Sequence, residues 1–114
     1  MKKTSLISIV AVAAATALML SGCAAGESTS TRACVILPDA DSGTRWEPGD
    51  RPALEKALTE AGYEADIQNA QSDTSKFATI ADQQLSKGCG VMILVDFQGA
   101  GASVVEKAKA QGIP

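Results

Sequence analysis

Histidine is absent from this chain, and aromatic residues are scarce: one Trp, one Tyr and two Phe in 114 residues. Without His there can be no Ser-His or Cys-His nucleophile pair and no His-ligated metal site. Positive charge is also in short supply. Lys and Arg number 10 against 13 Asp and Glu, a net charge of −3. No basic stripe of the kind a nucleic-acid binder carries is visible, so no nucleic-acid partner is expected. What is present, 46% hydrophobic and 20% charged residues, belongs to a globular chain rather than a disordered one. The length leaves room for one small domain.

The first residues read as an address. Lys2 and Lys3 form a basic start, Leu6 to Leu20 is an apolar run broken only by Ser8 and Thr16, and Leu20-Ser21-Gly22-Cys23 closes it. The run is short for a membrane span, which needs about 20 apolar residues. Small residues before a cleavage point mark a secretory signal. Leu-Ser-Gly-Cys resembles the lipobox of bacterial lipoproteins, which implies cleavage before Cys23 and a lipid on Cys23. The alternative is an ordinary signal peptide, or an anchor helix, with Cys23 incidental. Residues 1–22 are thus expected to be a lipoprotein signal, residues 23–32 a small, polar tether, and residues 33–114 the folded part. Removing Lys2 and Lys3 leaves 8 basic against 13 acidic side chains, a net charge of −5.

The folded part repeats one unit. Ala61-Gly62-Tyr63, Lys87-Gly88-Cys89 and Gln111-Gly112-Ile113 share a helix-ending Gly, with spacings of 26 and 24 residues, the length of a strand plus a helix. Cys34 to Leu37, stopped by Pro38, reads as a strand. Leu54, Ala57, Leu58 and Ala61 define one apolar helix face, with Pro52 near its start and Asp50 as its cap. Tyr63, Ala65 and Ile67 alternate with polar residues, as in a half-exposed strand near a sheet edge. Phe77, Ile80, Ala81 and Leu85 form the next helical stripe, capped by Asp73. Val91 to Val95 is apolar throughout, which predicts a strand buried on both faces. Ala102 to Gln111 is a third helix with Val104, Val105 and Ala108 inward. The order β-α-β-α-β-α predicts an α/β fold with a parallel sheet and right-handed crossovers; a doubly wound sheet in three layers with strand order 2-1-3 is the arrangement expected. The chain reaches Ile113-Pro114 where a fourth strand is due, so residues 33–114 are expected to be part of a longer domain.

In open α/β sheets, ligands bind beyond the carboxyl ends of the strands. After the first strand comes Pro38 to Glu47; after the third comes Asp96 to Gly101. Arg45 offers five donors in a fixed fork and Trp46 a flat apolar face, a combination that suits a sugar's hydroxyl edge and C–H face. Equally, Arg45 can pair with Glu47 or Asp41 at the surface while Trp46 packs under the loop. The residue types alone leave both open.

The segments VILPD, SGTRWEPGDRPALEKAL, QNAQSDTSK, ADQQLSKGCGVMILVD and EKAKAQGIP resemble the N-terminal lobe of type I periplasmic sugar-binding proteins, the ABC-importer receptors of the xylose/multiple-sugar branch. The resemblance covers residues 33–114, and the Arg45-Trp46 pair is its most specific element. It implies that Arg45 contacts a monosaccharide, that Trp46 stacks on it, and that Asp39 and Gln98 stand on the same rim. It also implies an exported, lipid-anchored receptor at the outer face of the bacterial cytoplasmic membrane. Such a receptor uses no cofactor, catalyses nothing, and delivers its ligand to ABC permease subunits. Members of the family continue into a fourth strand ending in Asp-Arg and then a second lobe, neither of which lies within these residues; 33–114 corresponds to a truncated first lobe. LacI-type repressors share the fold, but the export signal and the lack of a DNA-binding helix pair argue against them.

Two other constellations compete. Gly99-x-Gly101 hints at a dinucleotide loop, but the third glycine position is Val104. Asp39, Asp41 and Asp96 stand where a Mg²⁺-dependent phosphoryl-transfer or receiver-like domain holds its carboxylates; solvation and helix capping account for them equally. A structural or signalling lipoprotein without a small ligand is the third class.

Export also bears on the remaining cysteines. With Cys23 lipidated, Cys34 and Cys89 are the only thiols left, in a compartment that permits a bridge. Strand order 2-1-3 sets their strand starts side by side, about 4.8 Å apart, within reach of a disulfide. Two buried free thiols are the alternative.

Mass spectrometry of the membrane fraction is expected to show a diacylglycerol-modified Cys23 as the first residue. An intact Met1, or an unmodified soluble protein, would exclude lipidation.

Overall fold

The computed structural model describes residues 29–40 and 44–114. Residues 1–22, Cys23 and Asp41 lie outside the described residues. The elements run β1 (Arg32–Leu37), a π-turn (Trp46–Asp50), α1 (Arg51–Glu60), β2 (Glu64–Asn69), α2 (Thr74–Lys87), β3 (Val91–Leu94) and α3 (Gly101–Ala110). The three strands form one parallel sheet in the order β2-β1-β3. This is the expected α/β architecture and strand order. Among the described residues no helix is long and apolar enough to cross a membrane. β1 begins at Arg32, the last residue assigned to the tether, and the Thr31 carbonyl already accepts a bond from the Glu64 N–H (2.9 Å).

The sheet is organised around β1, whose residues Ala33 to Leu37 are all 0% exposed. Successive side chains leave a strand on opposite faces. Cys34 and Ile36 therefore meet Phe77, Ile80, Ala81, Leu85, Val104 and Ala108 of α2 and α3. Val35 and Leu37, with Ile67, meet Leu54 and Leu58 of α1 on the other side. The apolar run at Val91 to Val95 read as a strand buried on both faces, but β3 stays half-buried along its length. It pairs with a strand on one side only, and on the other its Met92 N–H donates to the Pro114 carbonyl (2.8 Å). Apolarity on both faces reports the need for helical cover, not the strand's place in the order.

The helices vary in how far their stripes hold. Phe77, Ile80, Ala81 and Leu85 are all buried, and Asp73 accepts bonds from the Ser75 and Lys76 N–H groups as a cap. Gln84 lies on the same stripe, 1% exposed, and its Nε2 donates to the Asp66 (2.8 Å) and Val35 (3.3 Å) carbonyls. In α1 Leu54 and Leu58 pack on the sheet, whereas Ala57, and Ala61 just after the helix, are exposed. Asp50 does not cap α1: it adopts helical torsions, makes no side-chain cap bond, and its carboxylate turns to Arg45. In α3, Val104 and Ala108 face inward, but Val105 is 53% exposed. It borders a groove of about 300 Å³ beside β3, with Met92, Leu94 and Ile113.

Cys34 and Cys89 are joined by a disulfide with a Cα separation of 5.8 Å, both residues fully buried. It ties β1 to the start of β3, away from the strands' carboxyl ends. Closing a 55-residue separation restricts the unfolded chain, a stabilisation of about 4 kcal/mol on the chain-entropy account. The next residue, Gly90, has a steric reason to lack a side chain. A Cβ there would stand 1.9 Å from the Ser30 carbonyl oxygen, while the Gly90 N–H donates to Arg32 (2.7 Å).

Gly90→Ala is therefore expected to lower stability by about 1–3 kcal/mol, the usual cost of overpacking. It should appear as a lower urea midpoint with an unchanged slope. An unchanged midpoint would show that the Ser30 segment does not lie over Gly90.

Candidate functional site

The carboxyl end of β1 leads into the loop that the residue pattern singled out. Pro38 stops the strand, and the chain re-enters helical geometry through the π-turn. The Asp50 N–H reaches back five residues to the Arg45 carbonyl (2.8 Å), shared with the Gly49 N–H (2.9 Å), and the Arg51 N–H reaches the Trp46 carbonyl. Such single-turn π segments are frequent at functional sites. Pro52 lies in the first turn of α1, where a missing N–H goes unused.

Arg45 and Trp46 stand together at the head of this turn. The Arg45 guanidinium carbon lies 4.2 Å from the Trp46 ring centroid, a cation–π contact. Trp46 is half-buried against the Val35, Leu37 and Ile67 cluster, which fixes the ring. Arg45 is 68% exposed, and its Nε lies 3.5 Å from the Asp50 carboxylate. Of the two pairings open to Arg45 in the residue pattern, Asp41 lies outside the described residues and Glu47 is engaged elsewhere. A ligand stacking on this face of Trp46 must displace Arg45. A ligand approaching edge-on meets guanidinium donors held over a ring that is itself anchored.

Glu47 belongs to a second cluster, which the residue pattern had not singled out. Arg51 grips it with two parallel bonds, Nε to Oε2 at 2.5 Å and Nη2 to Oε1 at 2.9 Å. Its Nη1 donates to the Ile67 carbonyl (2.7 Å). Asn69, at the end of β2, donates from Nδ2 to Glu47 Oε1 (2.6 Å) and to the Asp39 carbonyl (2.7 Å). Its Oδ1 accepts the Gln71 N–H (2.7 Å). The Arg51 hydrogen bond holds the Glu47 carboxyl below the usual glutamate range, and the Asn69 bond adds to it, against an opposing push from burial. The same pairing raises Arg51. These groups border an open polar cleft of about 620 Å³, whose far wall is Lys76, Thr79 and Gln83 of α2, with Lys76 hydrogen-bonded to Gln71. The Glu47–Arg51 spacing of four residues is a readable signal for the pair. Asn69 was not readable, because only the register that sets it opposite Leu37 carries it beside Asp39.

The structure distributes the other candidates. Asp39 is half-buried, and its carbonyl is held by Asn69. Gln98 is exposed on the β3–α3 loop with φ of 52°, on the strand end next to that of Asp39. Asp96 is committed to its own loop: its carboxylate accepts the Gly99 (3.0 Å) and Gly101 (2.7 Å) N–H groups. A Cβ on Gly101 would fall 2.8 Å from Asp96 Oδ1, so the Gly99-x-Gly101 spacing houses a carboxylate of the chain itself. Among the described residues no three acidic or thiol groups cluster as a metal site. No protein-family model, curated protein or solved structure matches the chain.

A depressed acid stabilises the fold above its unfolded value and loses that contribution as pH falls through its folded value. Glu47→Gln is thus expected to be less stable than the unaltered protein at pH 7. The difference should shrink as pH falls from about 4.3, where an unfolded glutamate titrates, to lower values. Urea unfolding of both proteins from pH 7 to pH 3 measures it. A difference independent of pH would show that the Glu47 charge is not what Arg51 holds.

Proposed function

We propose that residues 33–114 form part of the first lobe of an extracytoplasmic sugar receptor of an ABC importer. The receptor is a binder, not an enzyme. It is anchored through Cys23 to the outer face of the bacterial cytoplasmic membrane and passes a monosaccharide, xylose-like in class, to permease subunits. One observation carries the proposal: the Arg45–Trp46 pair stands at the carboxyl end of the central strand, the end at which open α/β sheets take ligands. Arg45 supplies charged donors to hydroxyl oxygens, and Trp46 supplies an apolar plane to C–H groups once the guanidinium moves aside. Asp39 and Gln98 extend the rim to the neighbouring strand end. A second lobe closes over this wall about a hinge. The Mg²⁺ alternative finds no support at Asp96, whose oxygens already accept two backbone N–H groups.

Calorimetric titration of pentoses and hexoses into the product of the whole reading frame is expected to find one saturable monosaccharide. Arg45→Ala should weaken it about 10- to 100-fold, the loss of one charge-assisted hydrogen bond of about 1.5–3 kcal/mol. No sugar bound, or an unchanged affinity for the variant, would overturn the proposal. Binding of Mg²⁺ in place of sugar would favour the carboxylate alternative, and indifference to both a lipoprotein without a small ligand.

A further inference from the structure

We infer that Asn69, acting with the Glu47–Arg51 pair, is the positioning residue that holds the Arg45–Trp46 pair in its binding posture; this rests on the sugar-receptor proposal for its purpose, but not for its test. The two hydrogens of Asn69 Nδ2 go to opposite ends of the same loop. One bonds the Asp39 carbonyl (2.7 Å), where the chain leaves β1, and the other bonds Glu47 Oε1 (2.6 Å), directly after Trp46. The remaining polar atom, Oδ1, is fixed by the Gln71 N–H (2.7 Å). An amide with both donors and its acceptor engaged in this way has one orientation open to it.

Arg51 completes the device. Its fork fixes both oxygens of Glu47, its Nη1 is anchored on the β2 backbone at Ile67, and its own N–H holds the Trp46 carbonyl. Glu47 and the Trp46 carbonyl are thereby tied to β2, whose Asn69 also holds the chain where it leaves β1. Side chains keep a binding geometry when a layer of hydrogen bonds behind them removes their alternatives. A binding loop ordered in advance spares the ligand the cost of ordering it.

Trp46 is the only tryptophan in the chain, so its fluorescence reports this loop without a label. In the ligand-free full chain, Asn69→Asp keeps the shape of the side chain, removes both donors, and sets a second carboxylate against Glu47. It is expected to raise acrylamide quenching of Trp46 at least twofold and to lower its anisotropy. Asp73→Ala removes the α2 cap and tests plain destabilisation. It should lower the unfolding midpoint and leave Trp46 quenching unchanged. In a chain that binds sugar, Asn69→Asp should also weaken affinity at least tenfold. Unchanged quenching in a folded Asn69→Asp protein would overturn the inference. Should Asn69→Asp not fold, Arg51→Lys, which cannot form the fork, must raise quenching in its place or the inference fails. Because quenching is read without sugar, failure here is distinct from a failure of the unaltered protein to bind one.

Discussion

The structure depends on covering one strand. Ala33 to Leu37 are apolar on both faces, and all five are fully buried. A strand of this kind needs a paired neighbour on each side and a helix layer on each face. Those demands place β2 and β3 beside it, α2 and α3 against Cys34 and Ile36, and α1 against Val35 and Leu37. The disulfide fastens the same strand to the approach of β3, and the candidate site grows from its other end. Stability and site are thus built at opposite ends of β1.

The site end is governed by electrostatics at close range. Two acids near the π-turn have separate basic partners. Asp50 faces Arg45, and Glu47 is gripped by Arg51. The first is loose and exposed, and such pairs contribute little to stability. The second is bidentate, shared with Asn69 and anchored to the backbone of β2. Exposure leaves the Arg45 guanidinium free to move off Asp50 and the Trp46 ring. The better-anchored pair keeps the turn in place while it does so. A single loop thereby combines an adaptable guanidinium with a fixed scaffold.

Several features were legible because they follow from local periodicity. The α2 stripe of Phe77, Ile80, Ala81 and Leu85 and the Asp73 cap each arise within about four residues. Gly62, Gly88 and Gly112 close helices at φ of 85°, 89° and 69°, torsions that glycine adopts freely. Other features depended on what stands opposite. Val105 is as apolar as Val104, but only Val104 meets α2. Ala57 and Ala61 lie on the apolar stripe of Leu54 and Leu58, but they are exposed while the two leucines pack on the sheet. Asp50 has the chemistry of a cap, but it already lies in helical torsions at the end of the π-turn, where its N–H bonds the Arg45 carbonyl and its carboxylate faces Arg45.

Chain order and the parallel sheet could be read from the residues because hydrophobic period, glycine spacing and handed crossovers leave few alternatives. Arg45 and Trp46 were legible as candidates for a similar reason, since they follow a strand end within one loop. Tertiary structure alone decided their surroundings. The β1–β2 register brings Asn69 alongside Asp39, and Glu47 turns away from Arg45 toward an arginine anchored on Ile67. Contacts of this kind join residues 22 and 30 positions apart through side-chain atoms. No local pattern records them, because their geometry exists only once the two strands have paired.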